Sequence, residues 1–182
     1  MGLGPDLSGV SVDVERLYRR HVAAVYAFAL RRLGDPDRAW DIVSETFVVA
    51  WRHRARQPEA EDEQLAWLYA IACNAVRNAR RSERRLGRLR TRLGSQPQHE
   101  WVAQREVEDG QSARLTDALE RLRPNDRQIL QLVAWEGLDL AEVAAVLGVS
   151  AGAARVRMHR ARQRLLAALD ELDATREQER HP

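Results

Sequence analysis

The chain has 182 residues, with 29 basic against 27 acidic side chains and a formal charge of +2. That length holds one ordinary domain or two small ones of about 80 residues each. Every basic side chain is arginine, and the absence of lysine excludes a P-loop NTPase, a lysine Schiff-base enzyme and a lysine-dependent kinase, each built around an ammonium group. A GC-rich genome is the plain origin of such a bias. The planar guanidinium nevertheless suits phosphates and guanine edges better than an ammonium does. The single cysteine, Cys73, rules out a disulfide within the chain and a thiolate-rich zinc site, and its apolar surroundings read as core. No basic-plus-apolar leader opens the sequence, and no apolar run approaches the roughly 18 residues of a membrane span. The expectation is a soluble, cytoplasmic protein with no membrane partner. At 31% charged and 45% hydrophobic residues it is globular rather than disordered.

Helical periodicity dominates and nothing alternates like a strand. Residues 1–11 read as a tail. Val14, Leu17, Tyr18, Val22, Val25, Ala29 and Leu33 then recur at three-to-four spacing and predict a long amphipathic helix, ended by Gly34. Asp35-Pro36 supplies an N-cap aspartate and a proline at the first helical position. The helix that follows buries Ala39, Val43, Phe47 and Ala50 and runs to about Trp51. Polar residues 52–63, with Pro58, predict a loop. Leu65, Leu68, Ala72, Ala75 and Ala79 form the inner face of a third helix. Together these make a three-helix unit over residues 12–85.

Glycines 87, 94 and 110 and Pro97 break the pattern across 86–112, a linker of about 25 residues and too long for a connection inside one compact domain. A second unit, 113–169, begins with Leu115, Leu119 and Leu122 on one face. Pro124-Asn125-Asp126 restarts the chain for a helix carrying Ile129, Leu130, Leu132 and Val133. Asp139 and Glu142 have capping-box spacing, Gly148 is a stop, and Ser150 is an N-cap for a helix burying Ala154, Met158, Ala161 and Leu165. Two short helices joined by about three residues containing glycine are a helix-turn-helix. Residues 170–182 alternate acidic and basic groups and read as a fraying tail.

The second helix of that pair presents Arg155, Arg157, Arg160, Arg162 and Arg164 with no acidic residue between Val149 and Leu169. Recognition helices lie in the major groove with their first residues toward base edges and later arginines at phosphates. Small residues Ala151, Gly152 and Ala153 allow close approach. A solvated arginine face is the plain alternative, and the adjoining helix-turn-helix favours DNA. A second array, Arg77, Arg80, Arg81, Arg84, Arg85, Arg88, Arg90 and Arg92, extends the third helix downstream of Trp67 and Tyr69, with Trp51 at the end of the preceding helix. Arginines beside aromatics suit single-stranded nucleic acid, where bases stack on rings. Trp67 reads equally as core. Asp37, Asp41 and Glu45 form an acidic stripe at i, i+4, i+8, either solvated or docking a basic protein. His21, His53, His99, His159 and His181 show no metal-ligand spacing and accompany no nucleophile motif. No catalytic residue, metal or cofactor is expected, and an enzyme is not.

Three stretches carry a family resemblance: 35–51 (DPDRAWDIVSETFVVAW), 67–85 (WLYAIACNAVRNARRSERR) and 118–165 (ALERLRPNDRQIL through RQRL). In that order they resemble regions 2.2, 2.3–2.4 and 4 of bacterial sigma factors of the extracytoplasmic-function (ECF) type, in the sigma-70 family. The resemblance implies an all-α fold of two small helical domains joined by a flexible linker. It also implies promoter-directed transcription initiation with core RNA polymerase. Asp37, Asp41, Ser44, Glu45 and Phe47 would meet the beta-prime clamp helices. Trp67, Asn74, Arg77, Asn78, Arg80, Arg81 and Arg84, with the loop at 52–63, would open the minus-ten element and hold a flipped base. Ser150, Ala151, Gly152, Ala153, Arg155 and Arg157 would face minus-thirty-five bases, with Arg160 and Arg164 at phosphate. Other implied partners are promoter DNA, the polymerase beta flap and an anti-sigma factor.

Two departures from the family pattern stand out. The recognition helix has Gly152-Ala153-Ala154-Arg155-Val156-Arg157 where Gly-Thr-Val-Lys-Ser-Arg is common, and Ser44 replaces a frequent glutamine. A free-standing helix-turn-helix repressor or activator explains 118–168 equally but leaves the Trp-Leu…Asn-Arg pattern and the 77–92 arginines without a role. An RNA-binding module fits the arginines but not the helix-turn-helix.

Overall fold

The computed structural model describes residues 7–92 and 110–180. It contains seven α-helices among them, no strand, and a split into two compact units. The first unit is α1 (Leu7–Leu33), α2 (Pro36–Arg52) and α3 (Glu61–Arg92), each packed against the other two. Val25, Phe28, Ala29, Val43, Leu68 and Ala72 fill its centre, and the Phe28 and Tyr69 rings stack with centroids 4.9 Å apart. Gly34 turns the chain at a φ of 70°, a left-handed conformation that favours glycine. Asp35 then accepts hydrogen bonds from the Asp37 and Arg38 amides at 3.0 and 3.2 Å, capping α2 as the sequence predicts.

The 52–63 stretch holds more order than a loop. A short 3-10 turn, Arg54–Arg56, follows α2, and α3 starts at Glu61. Two contacts anchor this connection to the bundle. Arg16 and Arg20 of α1 both pair with Glu61, at 2.8 and 2.5 Å, and their hydrogen bonds, Arg20's first, hold the Glu61 carboxyl below its usual range. Gln64 donates to the Pro58 carbonyl at 3.2 Å and also hydrogen-bonds the buried ring of His21. Burial pushes the His21 pKa down. The Gln64 bond and the Glu61 charge oppose that shift, and Arg20 adds to it.

The second unit comprises α4 (Gly110–Arg121), α5 (Pro124–Ala134), α6 (Leu140–Leu147) and α7 (Ala151–Arg180). Helix α7 packs on all three others. Ile129, Leu132, Val143, Ala154, Met158 and Ala161 form the centre. Several expected boundaries move: α1 begins at Leu7, inside the tail expected over 1–11, and α4 at Gly110, inside the linker expected over 86–112. Helix α3 runs on to Arg92 rather than ending near 85, because its first five turns are anchored in the bundle and the arginine-rich extension contains no proline. The tail expected to fray from 170 is instead helical to Arg180. Leu165, Ala168, Leu169 and Leu172 continue the apolar stripe of α7 onto Ala118 of α4, and Arg114 pairs with Asp173 at 2.7 Å. Leu115, expected inward, is exposed, and Ala118 takes its place in the core.

Replacing Leu172 with Ala should therefore destabilise the second unit by about 2 kcal/mol, read as a lower denaturation midpoint. A fraying tail would give no change. His21 supplies a pH test. With its folded pKa lowered from 6.5, the unfolded chain binds the proton more readily. Stability is then full above the unfolded pKa and is lost as pH falls toward the folded one. Melting between pH 8 and 5 should show a steeper decline for the wild type than for His21→Gln, and equal slopes would contradict this.

Candidate nucleic-acid interface

The helix-turn-helix is built by its caps. Asp139 accepts from the Ala141 and Glu142 amides at 2.7 and 2.8 Å, while the Glu142 carboxylate accepts from the Asp139 amide at 2.7 Å. Gly148 ends α6 at a φ of 64°. The Ser150 hydroxyl accepts from the Ala153 amide at 3.2 Å, so this candidate DNA contact is engaged as the N-cap of α7. Ala154, Met158 and Ala161 face inward. Ala151, Gly152, Ala153, Arg155, Val156 and Arg160 are exposed, and Arg157 is half-buried. Arg123, Pro124 and Asn125, at the start of α5, line one groove with Gly152, Ala153, Val156, Arg157 and Arg160. Sequence reading missed those α5 residues, although Pro124 at the first helical position marks where they must turn.

Arg164 belongs to a different class. It lines the same groove and also pairs with Asp126, which is 5% exposed, and so ties α7 to α5. Buried carboxylates need such a partner, and Arg164 is the one this fold provides.

On the first unit, Asn74, Arg77, Asn78, Arg81 and Arg84 are exposed along α3. Arg77 donates to the Asn74 side-chain oxygen at 2.9 Å, which orients both groups before any ligand arrives. Arg80 turns inward and donates to the Arg32 carbonyl at the end of α1, so it caps a helix rather than facing a ligand. Trp67 is half-buried. The side chains of Arg88, Arg90 and Arg92 lie outside the described residues. A separate cleft beside the 52–60 connection is lined by Arg16, Arg20, Arg52, Arg54, Gln57 and Gln64. None of Asn74, Arg77, Asn78 and Arg81 lines it.

Helix α2 presents a face of another kind. Asp37, Asp41, Ser44 and Glu45 are exposed, as the stripe requires. Phe47 is not available to a partner: it is 7% exposed and meets Tyr18 edge-on at 4.9 Å. Three apolar residues missed by the periodicity stand among the acidic groups instead. Trp40, Val48 and Trp51 are 47%, 46% and 50% exposed. At ~100° per residue, these seven residues span about 140° of the helix. Trp40 rests on Tyr26 with centroids 4.7 Å apart, and Arg54 lies over Trp51 at 5.6 Å. Among the described residues no cluster of His, Cys, Asp or Glu could hold a metal, and no helix is long and apolar enough to cross a membrane.

Comparison with known proteins agrees with this division. The family models for sigma-70 region 2 and sigma-70 region 4 match residues 17–86 and 112–165. The ECF RNA polymerase sigma factor SigL of Mycobacterium tuberculosis is 33% identical over 164 residues, covering 88% of this chain and 90% of that protein. The RNA polymerase sigma factor CarQ of Myxococcus xanthus is 33% identical over 165 residues, covering 91% and 94%. The solved structure of CnrH in complex with the cytosolic domain of CnrY is similar at 28% identity and a TM-score of 0.56, covering 87% of this chain and 88% of that one. A region-2 unit ahead of the helix-turn-helix is what a stand-alone regulator lacks. The chain belongs to the ECF sigma factors of the sigma-70 family, which act in transcription initiation as regulatory factors rather than enzymes.

Proposed function

We propose that this chain, in the cytoplasm, joins core RNA polymerase and directs it to two-part promoters. Residues 12–85 act as region 2, 113–169 as region 4, and 86–112 run between them toward the RNA exit path. The observation that carries this reading is the face of α2. Carboxylates there repel phosphate, so nucleic acid is not the partner, and two half-exposed tryptophans are anchors that a protein interface uses. The fitting partner is a basic helical surface, which the beta-prime clamp helices would supply. The beta flap would receive region 4.

DNA then falls to the two arginine-bearing surfaces. The groove of α7 and α5 would take the minus-thirty-five element as duplex, with Arg155, Arg157 and Arg160 as donors to guanine edges and phosphates. Asn74, Arg77, Asn78, Arg81 and Arg84 would hold the opened minus-ten strand, and the cleft beside 52–60 would receive its extruded base. Extrusion costs a few kcal/mol of unstacking, which these contacts must offset. An anti-sigma protein is a further proposed partner. The support is the similar CnrH, solved with the cytosolic domain of CnrY.

Gel filtration with core polymerase stripped of its own sigma factor is the test. A stoichiometric complex is expected. Trp40→Ala or Trp51→Ala should weaken it about tenfold, and reversing Asp37, Asp41 and Glu45 to Arg should abolish it with helicity intact. A folded chain that elutes apart from polymerase at low and moderate salt would sink the reading.

The two DNA surfaces separate by readout. The pair Arg157→Ala and Arg160→Ala should lower promoter affinity about tenfold or more and flatten its salt dependence. Polymerase binding should remain. The pair Asn74→Ala and Asn78→Ala should leave duplex binding in place and reduce permanganate reactivity of the minus-ten thymines.

A further inference from the structure

The outward face of α7 contains one residue that the fold does not explain. Val156 is 50% exposed, and it is the only branched apolar side chain on that face from Ala151 to Arg164. A β-branched residue is a weak helix former, and exposing an isopropyl group gains nothing from burial. Its surroundings are a groove rather than open surface: Gly152 and Ala153 one turn before it, Arg160 one turn after it, and Arg123 and Asn125 across from it. A Cβ built on Gly152 would meet no atom within 4 Å. The helix surface is therefore recessed beside Val156 without any packing reason for glycine there.

The chemistry of this face is restricted. From Val149 to Arg160 it carries no Asp, Glu, Asn or Gln. The α7 side of the groove therefore lacks the amide fork that reads adenine and the carboxylate that accepts from the cytosine amino group; across it, Asn125 is the amide, and the buried Asp126 is paired with Arg164. On that helix face Arg155, Arg157, Arg160 and His159 remain as hydrogen-bonding groups, and Val156 is the apolar group left for the one base that shows a methyl in the major groove. We infer that Val156 is a specificity-determining residue that packs against the C5-methyl group of a thymine in the duplex element read by region 4. This rests on the duplex reading proposed above. Arg155, Arg157 and Arg160 hold the helix in the groove, and the recess at Gly152 and Ala153 lets the isopropyl reach the base edge.

The experiment uses holoenzyme assembled from the full chain and core polymerase, with the upstream element first selected from randomised duplex. Each thymine of that element is then replaced singly by deoxyuridine, which removes the methyl and leaves every hydrogen-bonding group in place. At one position the wild type should lose about fourfold in affinity, the worth of one buried methyl group. The same replacement should cost Val156→Ala nothing, and Val156→Ile should keep the loss. Val156 is exposed, so the variants should melt with the wild type. Neutral replacement at every thymine, or an equal loss in Val156→Ala, overturns the inference while region-4 binding stands. Selection of no duplex element overturns the duplex reading and the inference together.

Discussion

The ion pair between Arg164 and Asp126 ties α7 to α5 in the second unit. In its first half, helix α7 buries mainly small residues, Ala154 and Ala161, with Met158 between them. Alanine surfaces bury little area and allow a helix to turn about its axis at small cost. Asp126 removes that freedom. It sits in the first turn of α5, where a carboxylate is favoured by the helix dipole, and its burial demands a charged donor. Arg164 answers from α7. Rotation by one residue, about 100°, would withdraw Arg164 and carry Val156 and Arg160 away from the groove. Arg127 steadies the same corner from the other side, donating to the Glu120 carbonyl at 2.6 Å.

A chain whose only strong cation is arginine uses that side chain in two ways. The guanidinium has five donors and stays charged, so it can close helix ends that have run out of partners. Arg32 does so within α1, donating to the Phe28 carbonyl at 3.0 Å with its charge 3.5 Å above the Phe28 ring. Arg80 in turn reaches the carbonyl of Arg32. The ends of α1 and α4 are thus held by side chains of the same type that line the proposed DNA surfaces. What separates the two uses is geometry: the structural arginines aim at carbonyls or at carboxylates such as Glu61, Asp126 and Asp173, while Arg77, Arg81, Arg84, Arg155 and Arg160 stand outward.

That double use sets how much the sequence could reveal. Caps were legible at Asp35, Asp139, Gly148 and Ser150, because each rests on a local rule involving three or four residues. The apolar periods were legible for the same reason, and with them the helices and the helix-turn-helix. Arg80 and Arg164 were not, since their partners lie 48 and 38 residues away and nothing local distinguishes them from Arg81 and Arg160. Phe47 falls on the buried face that the periodicity predicts, and only the family resemblance turned it toward a partner. Trp40 escaped notice because it falls between the acidic stripe and the apolar stripe of α2. The end of α7 was misread because alternating charges hid Leu172, one turn beyond Ala168.

On the proposed function, opening a duplex requires that binding energy be brought from elsewhere. In the first unit the acidic-aromatic face of α2 and the Asn74–Arg77 array of α3 belong to one bundle with one core. On that proposal, energy gained at the α2 face would be available at the α3 array, provided the connection between the two helices does not yield. The 52–60 segment is that connection, and it is braced at both edges: Glu61 between Arg16 and Arg20, and Gln64 between His21 and the Pro58 carbonyl. The Asn74–Arg77 hydrogen bond lowers the cost further, because side chains already oriented lose less entropy on meeting a base.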